Sequence, residues 1–309
     1  MDKYLIITPQ NGLCNQLIAI PKGIILGLIS KRNVIFKSFQ LDYRDFNSKC
    51  EFHKIIDINY LQEKLYENNI IIKISSDYNI NGTKIYLNNT TEEIPNIKNF
   101  APYLFLDKNI DVQYLDVNCP ISFEVPLQYN NIFNTINANI KFEKYYNDIA
   151  DELKKKLNLQ YFTALHLRLE DDAINFMKDM NNNITLEEVD SVCKKLYIEH
   201  FDYLKSINCK IYVCSSLGIS ENKNNEYYKE LKNKYDIIDK NDIINVSENN
   251  CREIYGIIDF LIAQDALYFI GCDWSSFSFY LHYIFQNNHK DTILLQIWET
   301  IKKISKNNL

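Results

Sequence analysis

Short apolar runs recur along most of this chain, each closed by a polar or charged turn that leads into a helix-patterned stretch. That repeated order of strand, loop and helix favours an α/β fold. Tyr4–Thr8 reads as a first strand, Asn11–Gln16 as a polar turn around Gly12, Leu17–Ser30 as a buried helix and Asn33–Lys37 as a second strand. This is a Rossmann-like opening without the G-x-G-x-x-G fingerprint. Between Leu41 and Lys141, short strands such as Ile70–Ile74 stand among Asn-rich turns. Regular alternation resumes with an amphipathic helix over Phe142–Leu157 and a strand over Tyr161–Leu169. Helices then follow over Leu186–Ile207, Asn222–Tyr235, Arg252–Gln264 and Ser275–Phe285, with a further helix at the end of the chain. Strands over Lys210–Cys214, Ile237–Ile238, Ala266–Gly271 and Thr292–Gln296 separate them.

The 309 residues are 46% hydrophobic, enough for two cores. The expectation is two Rossmann-like domains, 1–145 and 146–309, facing a cleft where ligands meet the carboxyl ends of the strands. The formal charge of −6 comes from 34 basic and 40 acidic residues with no basic face, so no nucleic-acid partner is expected. The run Tyr4–Thr8 meets Pro9 at once and reads as a buried strand rather than the apolar region of a signal peptide. No stretch reads as long enough for a membrane span, and a cytoplasmic protein is expected. Eight cysteines (Cys119 and Cys251 among them) show no C-x-x-C or zinc spacing and read as reduced core residues. The sequon Asn89-Thr90-Thr91 is weak evidence of secretion in so Asn-rich a chain.

Three strand-to-helix junctions carry chemistry. In Asn11–Gln16, Gly12 lets the backbone turn and a ligand approach, and the amides of Asn15 and Gln16 can bond hydroxyls. The helix behind offers free backbone N–H groups to an anion. Taken alone, this is an ordinary capped turn. In His166–Asp172, strand alternation puts His166, Arg168 and Glu170 on one face and Leu165, Leu167 and Leu169 on the other. The planar fork of Arg168 suits a phosphate. The alternatives are an internal pair with Glu170 or Asp172 on a solvated edge, and a core histidine bonded to backbone. Adjacent acids on a strand point different ways, so no metal site is expected there. In Gly271–Ser278, the hydroxyls of Ser275 and Ser276 with the first-turn N–H groups make an anion site, compatible with N-capping by Asp273 or Ser275.

With these three in this order, the chain resembles the fucosyltransferase superfamily, most nearly the GDP-fucose protein O-fucosyltransferases. The matching stretches are Gly12–Gln16, His166–Asp172 and Phe269–Ser278. The strand end with Glu170 is similar to the plant-type O-fucosyltransferases. The Asn11–Gln16 turn is similar to the α-1,2-fucosyltransferases, with Asn11 and Cys14 where glycines are usual. The resemblance implies a GT-B fold, with an N-terminal acceptor-side domain and a C-terminal nucleotide-sugar domain. It implies inverting, metal-independent transfer of fucose from GDP-fucose to a hydroxyl of a protein or glycan acceptor, with no cofactor beyond that donor. Residue by residue, it implies that Arg168 holds the β-phosphate and that Ser275, Ser276 and Phe277 hold the diphosphate and ribose region. His166 would contact the nucleotide, and Asp259 would face the guanine. Asn15 would lie by the sugar and the leaving oxygen, with Gly12 and Gln16 in the same substrate-binding turn. Arg168 and the helix amides would take up the charge of the departing GDP in place of a metal. Glu170, Asp171 and Asp172 are the candidate bases. Two other readings are a glycan-extending, α-1,2-type fucosyltransferase and a non-catalytic GT-B-like protein that binds a nucleotide sugar or glycan. The acids beside Arg168 argue against the second, since a binder needs no base.

Overall fold

The computed structural model describes residues 3–42, 45, 47–76, 84–87, 114–118, 123–181, 183–217, 225–242 and 252–307. Cys119, Cys251, the sequon Asn89-Thr90-Thr91 and the first three residues of the expected helix Asn222–Tyr235 lie outside them. The chain forms two compact units, Met1–Tyr145 and Tyr146–Leu309, each a mixed α/β layer structure on a parallel sheet.

The first unit has strands β1 (Tyr4–Thr8), β2 (Asn33–Phe36), β3 (Ser38–Gln40), β4 (Lys49–Glu51), β5 (Ile74–Ser75), β6 (Lys84–Leu87) and β7 (Tyr114–Asn118). Five of them form a sheet of order β5-β2-β1-β7-β6, parallel throughout, while β3 and β4 form a separate antiparallel pair. Leu5, Ile6 and Ile7 are completely buried. A central strand covered on both faces needs such a continuous apolar run. The expected strand Ile70–Ile74 is realised only at its end, as β5, although Ile70 and Ile72 bury and Ile71 points out.

Helix α1 (Leu13–Ser30) begins four residues before the expected Leu17. At 18 residues it is long and apolar enough to cross a membrane, which corrects the expectation that no stretch is. Two thirds of it is buried within the fold, from Leu13 and Cys14 to Leu26 and Gly27. A helix packed between sheet and neighbours is apolar nearly all round, and so passes the same test as a membrane span.

The second unit has β8 (Thr163–His166), β9 (Ile211–Cys214), β10 (Tyr268–Cys272) and β11 (Asp291–Leu295) in the parallel order β11-β10-β8-β9. After α2 (Ile58–Glu67) and α3 (Asn130–Ala138) of the first unit come α4 (Lys144–Lys156), α5 (Asp171–Asp179), α6 (Leu186–Ser206), α7 (Asn225–Tyr235), α8 (Arg252–Gln264), α9 (Ser276–Asn287) and α10 (Ile297–Asn307). Helix α6 starts on a capping box of Thr185 and Glu188 and buries Val189, Cys193, Tyr197, Phe201 and Leu204 against the sheet. Ile237–Ile238 makes a single bridge to Tyr212 rather than a strand. The thiols of Cys14, Cys193, Cys214 and Cys272 are buried, and those of Cys50 and Cys209 are half-buried.

The strand expected over Tyr161–Leu169 stops at His166, and after the four-residue loop 167–170 comes α5, which the sequence pattern hid. Asp171 and Asp172 occupy its first turn, where negative charge offsets the helix dipole, and Ala173, Ile174 and Met177 bury its inner stripe.

Candidate active site

In the second sheet, the chain passes from β8 to β9 on one side and later to β10 on the other. A parallel sheet opens a crevice at such a switch point, outside the carboxyl ends of the diverging strands. His166 ends β8 and Gly271–Cys272 ends β10, so two of the three expected junctions share this crevice.

Arg168 is its centre. Its backbone N–H donates to Tyr197 Oη (3.1 Å), whose hydroxyl donates to the His166 carbonyl (3.0 Å), so the buried tyrosine of α6 staples the strand exit. The guanidinium donates from Nη1 to Glu170 Oε2 (2.8 Å) and from Nη2 to Asp172 Oδ2 (2.7 Å), and its Cζ lies 5.8 Å from the centre of the Trp274 ring. The other oxygen of Glu170 accepts the N–H (3.0 Å) and hydroxyl (2.5 Å) of Ser216. Burial favours a neutral Glu170, but Arg168, Arg252 and the Ser216 hydroxyl outweigh it and hold the carboxyl down at about 2. Burial likewise disfavours charge on Arg168, and the two carboxylates overcome it, raising its pKa. The pair is therefore ionised, buried on the Glu170 side and open on the Asp172 side, whose side chain is 39% exposed.

His166 lies beside this clamp, its Nδ1 2.8 Å from Ser278 Oγ and its ring 4.6 Å from that of Phe277. Burial, helped by the charges of Arg168, Arg252 and Lys240 and opposed by Glu170, pushes the imidazole down to about 3, so it is neutral. Ser278 Oγ also accepts the Cys272 N–H at 2.9 Å. Its approach explains Gly271, where a Cβ would lie 2.7 Å from the Ser278 Cβ. Ser275 is the N-cap of α9 but makes no side-chain cap bond. Asp273, expected as a cap there, instead accepts the N–H groups of Trp298 (2.8 Å) and Glu299 (3.3 Å) at the start of α10. The first turn of α9, with Ser275, Ser276 and Phe277, thus faces the crevice region without a side-chain cap of its own.

The remaining junction belongs to the first unit, at the carboxyl end of β1, where neighbours β2 and β7 diverge. The positive φ that turns the chain is carried by Asn11 (71°), not by Gly12 (−62°). A Cβ on Gly12 would meet nothing within 4 Å, so the residue leaves open space beside the helix start. Asn15 is half-buried on the first turn of α1.

The sequence model of the GDP-fucose protein O-fucosyltransferase family matches residues 4–283. The chain belongs to this family. It is thereby a fucosyltransferase, and its motifs are those of an enzyme family. No curated protein sequence shows significant similarity to it. Among solved structures, the fold is similar to POFUT1 in complex with GDP-fucose, with TM-score 0.58 and 11% identity over 95% of this chain and 98% of that one. It is also similar to the fucosyltransferase NodZ from Bradyrhizobium, with TM-score 0.53 and 10% identity over 91% and 93%.

Within this O-fucosyltransferase frame, several expected roles need correction. Gln16 is completely buried, and its amide donates to the Asn11 (2.9 Å) and Gln40 (2.8 Å) carbonyls while accepting the Gln40 N–H (2.8 Å). Both of its N–H groups and its oxygen are bonded within the fold, so it acts here as a staple of the turn. Glu170 has both oxygens engaged and a depressed pKa, so it offers no free carboxylate as a base in this arrangement. Asp259 does not present a free carboxylate, because Tyr212 Oη (2.8 Å) and Lys240 Nζ (2.5 Å) take one oxygen each. The internal pair foreseen for Arg168 exists with both acids, in a largely buried setting rather than on a solvated edge.

Two residues of the cluster were missed. Ser216 sits just past β9, in a Ser-Ser that looks like any turn. Arg252 Nη1 stands 4.0 Å from Asp172 and contributes to the fields at Glu170 and His166. A cation at the first position of a helix opposes the dipole, and that is the signal that marked it. Among the described residues, no three His, Cys, Asp or Glu side chains stand together as a metal-ligand set.

Proposed function

We propose that the chain transfers fucose from GDP-fucose to a hydroxyl of a protein acceptor, with inversion and without a metal ion. The first unit serves the acceptor and the second holds the nucleotide sugar, as the two halves of a GT-B enzyme. The observation that carries the reading is the Arg168 clamp beside the uncapped start of α9, at the switch point of the second sheet. As the bond from fucose C1 to the β-phosphate oxygen breaks, negative charge develops on the departing GDP. A guanidinium and first-turn amides are pre-set donors for that charge. A diphosphate competes for the guanidinium with the half-exposed Asp172, while Glu170 stays as its anchor. Asp172, once released, is the best-placed of the three acids to accept the acceptor proton. Neutral His166 and Phe277 offer a flat contact to the nucleotide.

Calorimetry with GDP, UDP and ADP tests the donor. GDP should bind clearly best, because a site that pairs polar groups with a guanine edge rejects bases that leave them unpaired. Equal affinities, or a preference for UDP, remove GDP-fucose as donor. Transfer should persist in excess EDTA, and a loss restored by manganese or magnesium would overturn metal independence. A panel of peptides and oligosaccharides, with the product anomer read by NMR, tests acceptor class and inversion.

A further inference from the structure

The second unit contains a buried ion pair outside the crevice. Lys240 is 1% exposed and Asp259 4%, and their charged groups are 2.5 Å apart. Burying two charges costs more than an apolar pair of the same volume, unless every remaining donor and acceptor is satisfied. Here the second oxygen of Asp259 accepts from Tyr212 Oη, and Lys240 donates again, to the Ser215 carbonyl at 2.8 Å. That second bond suggests why the charge is kept. Ser215 is the first residue after β9, and Ser216 beside it gives both its N–H and its hydroxyl to Glu170, whose other oxygen holds Arg168. One line of bonded groups therefore runs from Asp259 through Lys240, Ser215, Ser216 and Glu170 to the guanidinium.

The segment that carries Lys240 is itself pinned. Ile238 joins the edge of β9, accepting the Val213 N–H at 2.8 Å. Asp239 accepts from Tyr228 Oη and from the Asn241 N–H, and Lys232 bridges Asp239 and Asp242.

We propose that Lys240 is a positioning residue for the Arg168 clamp. It fixes the Ser215 carbonyl, hence Ser216, hence the carboxylate that orients the guanidinium toward a diphosphate. This rests on the reading of the crevice as the nucleotide-sugar site. Partners one shell away from a binding group set its orientation, and losing them costs affinity without removing any direct contact.

The test is the double variant Lys240→Met/Asp259→Asn, which leaves no unpaired charge and keeps a partner for Tyr212. GDP affinity should fall about tenfold while GMP affinity falls much less, since the clamp acts on the terminal phosphate. In parallel, carbon-13 NMR of the Glu170 carboxylate, which faces Arg168, Arg252, His166 and Ser216, should show it titrating higher than in the wild type. Unchanged GDP affinity and unchanged Glu170 titration in a variant that unfolds like the wild type overturn the proposal. Equal weakening of GDP and GMP also overturns it, marking a base contact instead. If the wild-type chain binds no guanine nucleotide, the proposed function falls, and the Glu170 titration alone decides the role of Lys240. Should the double variant not fold, the milder Lys240→Gln/Asp259→Asn carries the same two expectations.

Discussion

The two sheets each have a junction at the carboxyl end of a central strand where the neighbours diverge, and the two are built from different chemistry. After β1, the turn is held by side-chain amides: that of Gln16 bonds the N–H and the carbonyl of Gln40, and that of Gln40 accepts the N–H of Asn11 and donates to the Asp42 carbonyl. After β8, it is held by charge: Arg168 between Glu170 and Asp172, with Arg252 behind. An amide network is satisfied in one geometry and has nothing to gain from an arriving anion. A charged cluster with one half-exposed carboxylate can exchange that partner for a phosphate at modest cost. The first junction is thus a rigid platform beside the open space at Gly12, and the second is the responsive one.

The sharpest way to break this contrast is at Arg168. Arg168→Ala should lower kcat/KM at least about 100-fold, since it removes charge-assisted bonds to the developing phosphate charge. It should also destabilise the fold, because Glu170 is left buried without its main partner. Adding Glu170→Gln should restore the melting temperature but not the activity. Turnover near the wild-type rate in either variant would mean that the charged junction is structural.

Gln16 should behave in the opposite way. Gln16→Leu strands the Asn11 and Gln40 carbonyls and the Gln40 N–H, and should cost roughly 2–4 kcal/mol in urea unfolding. GDP affinity measured on the folded protein should stay within about twofold of the wild type, since the Gln16 amide is completely buried and bonded to the backbone of the turn. Lost nucleotide affinity with unchanged stability would make Gln16 a ligand contact after all.

The smallest effect is in acid. His166 is held neutral in the fold, at about 3 against an ordinary 6.5, by burial and then by the nearby cations. As pH falls below 6.5 the unfolded chain takes up a proton that the folded chain refuses, so this part of the stability is present above 6.5 and drains away toward pH 3. Glu170, at about 2 against 4.5, adds a second loss between those values. His166→Gln should flatten the decline of melting temperature between pH 6.5 and about 5.5, where Glu170 contributes little. An identical slope in that window would show that the histidine is not buried as described.

Much of the architecture was legible from the residues alone. Leu5–Ile7 and the run at Thr163–His166 announce parallel strands because a strand covered on both faces must be apolar throughout. Thr185 and Glu188 announce the start of α6 because a helix leaves its first N–H groups in need of partners. Helix α5 stayed hidden because Leu167 and Leu169 continue the strand alternation past its end. Their completely buried side chains fill the core from a loop, which has no periodicity to read. The three junction motifs, and Arg168 within them, could be singled out by residue type. Which partner each side chain takes could not, because a buried charge or amide is satisfied by whatever the packing brings within 3 Å, however distant in the chain. Gln16 meets Gln40, 24 residues on; Glu170 meets Ser216, 46 on; and Asp259 meets Lys240 instead of solvent. Those pairings set which polar residues serve the fold and which stay open to a ligand, and they arise only when the strands are laid side by side.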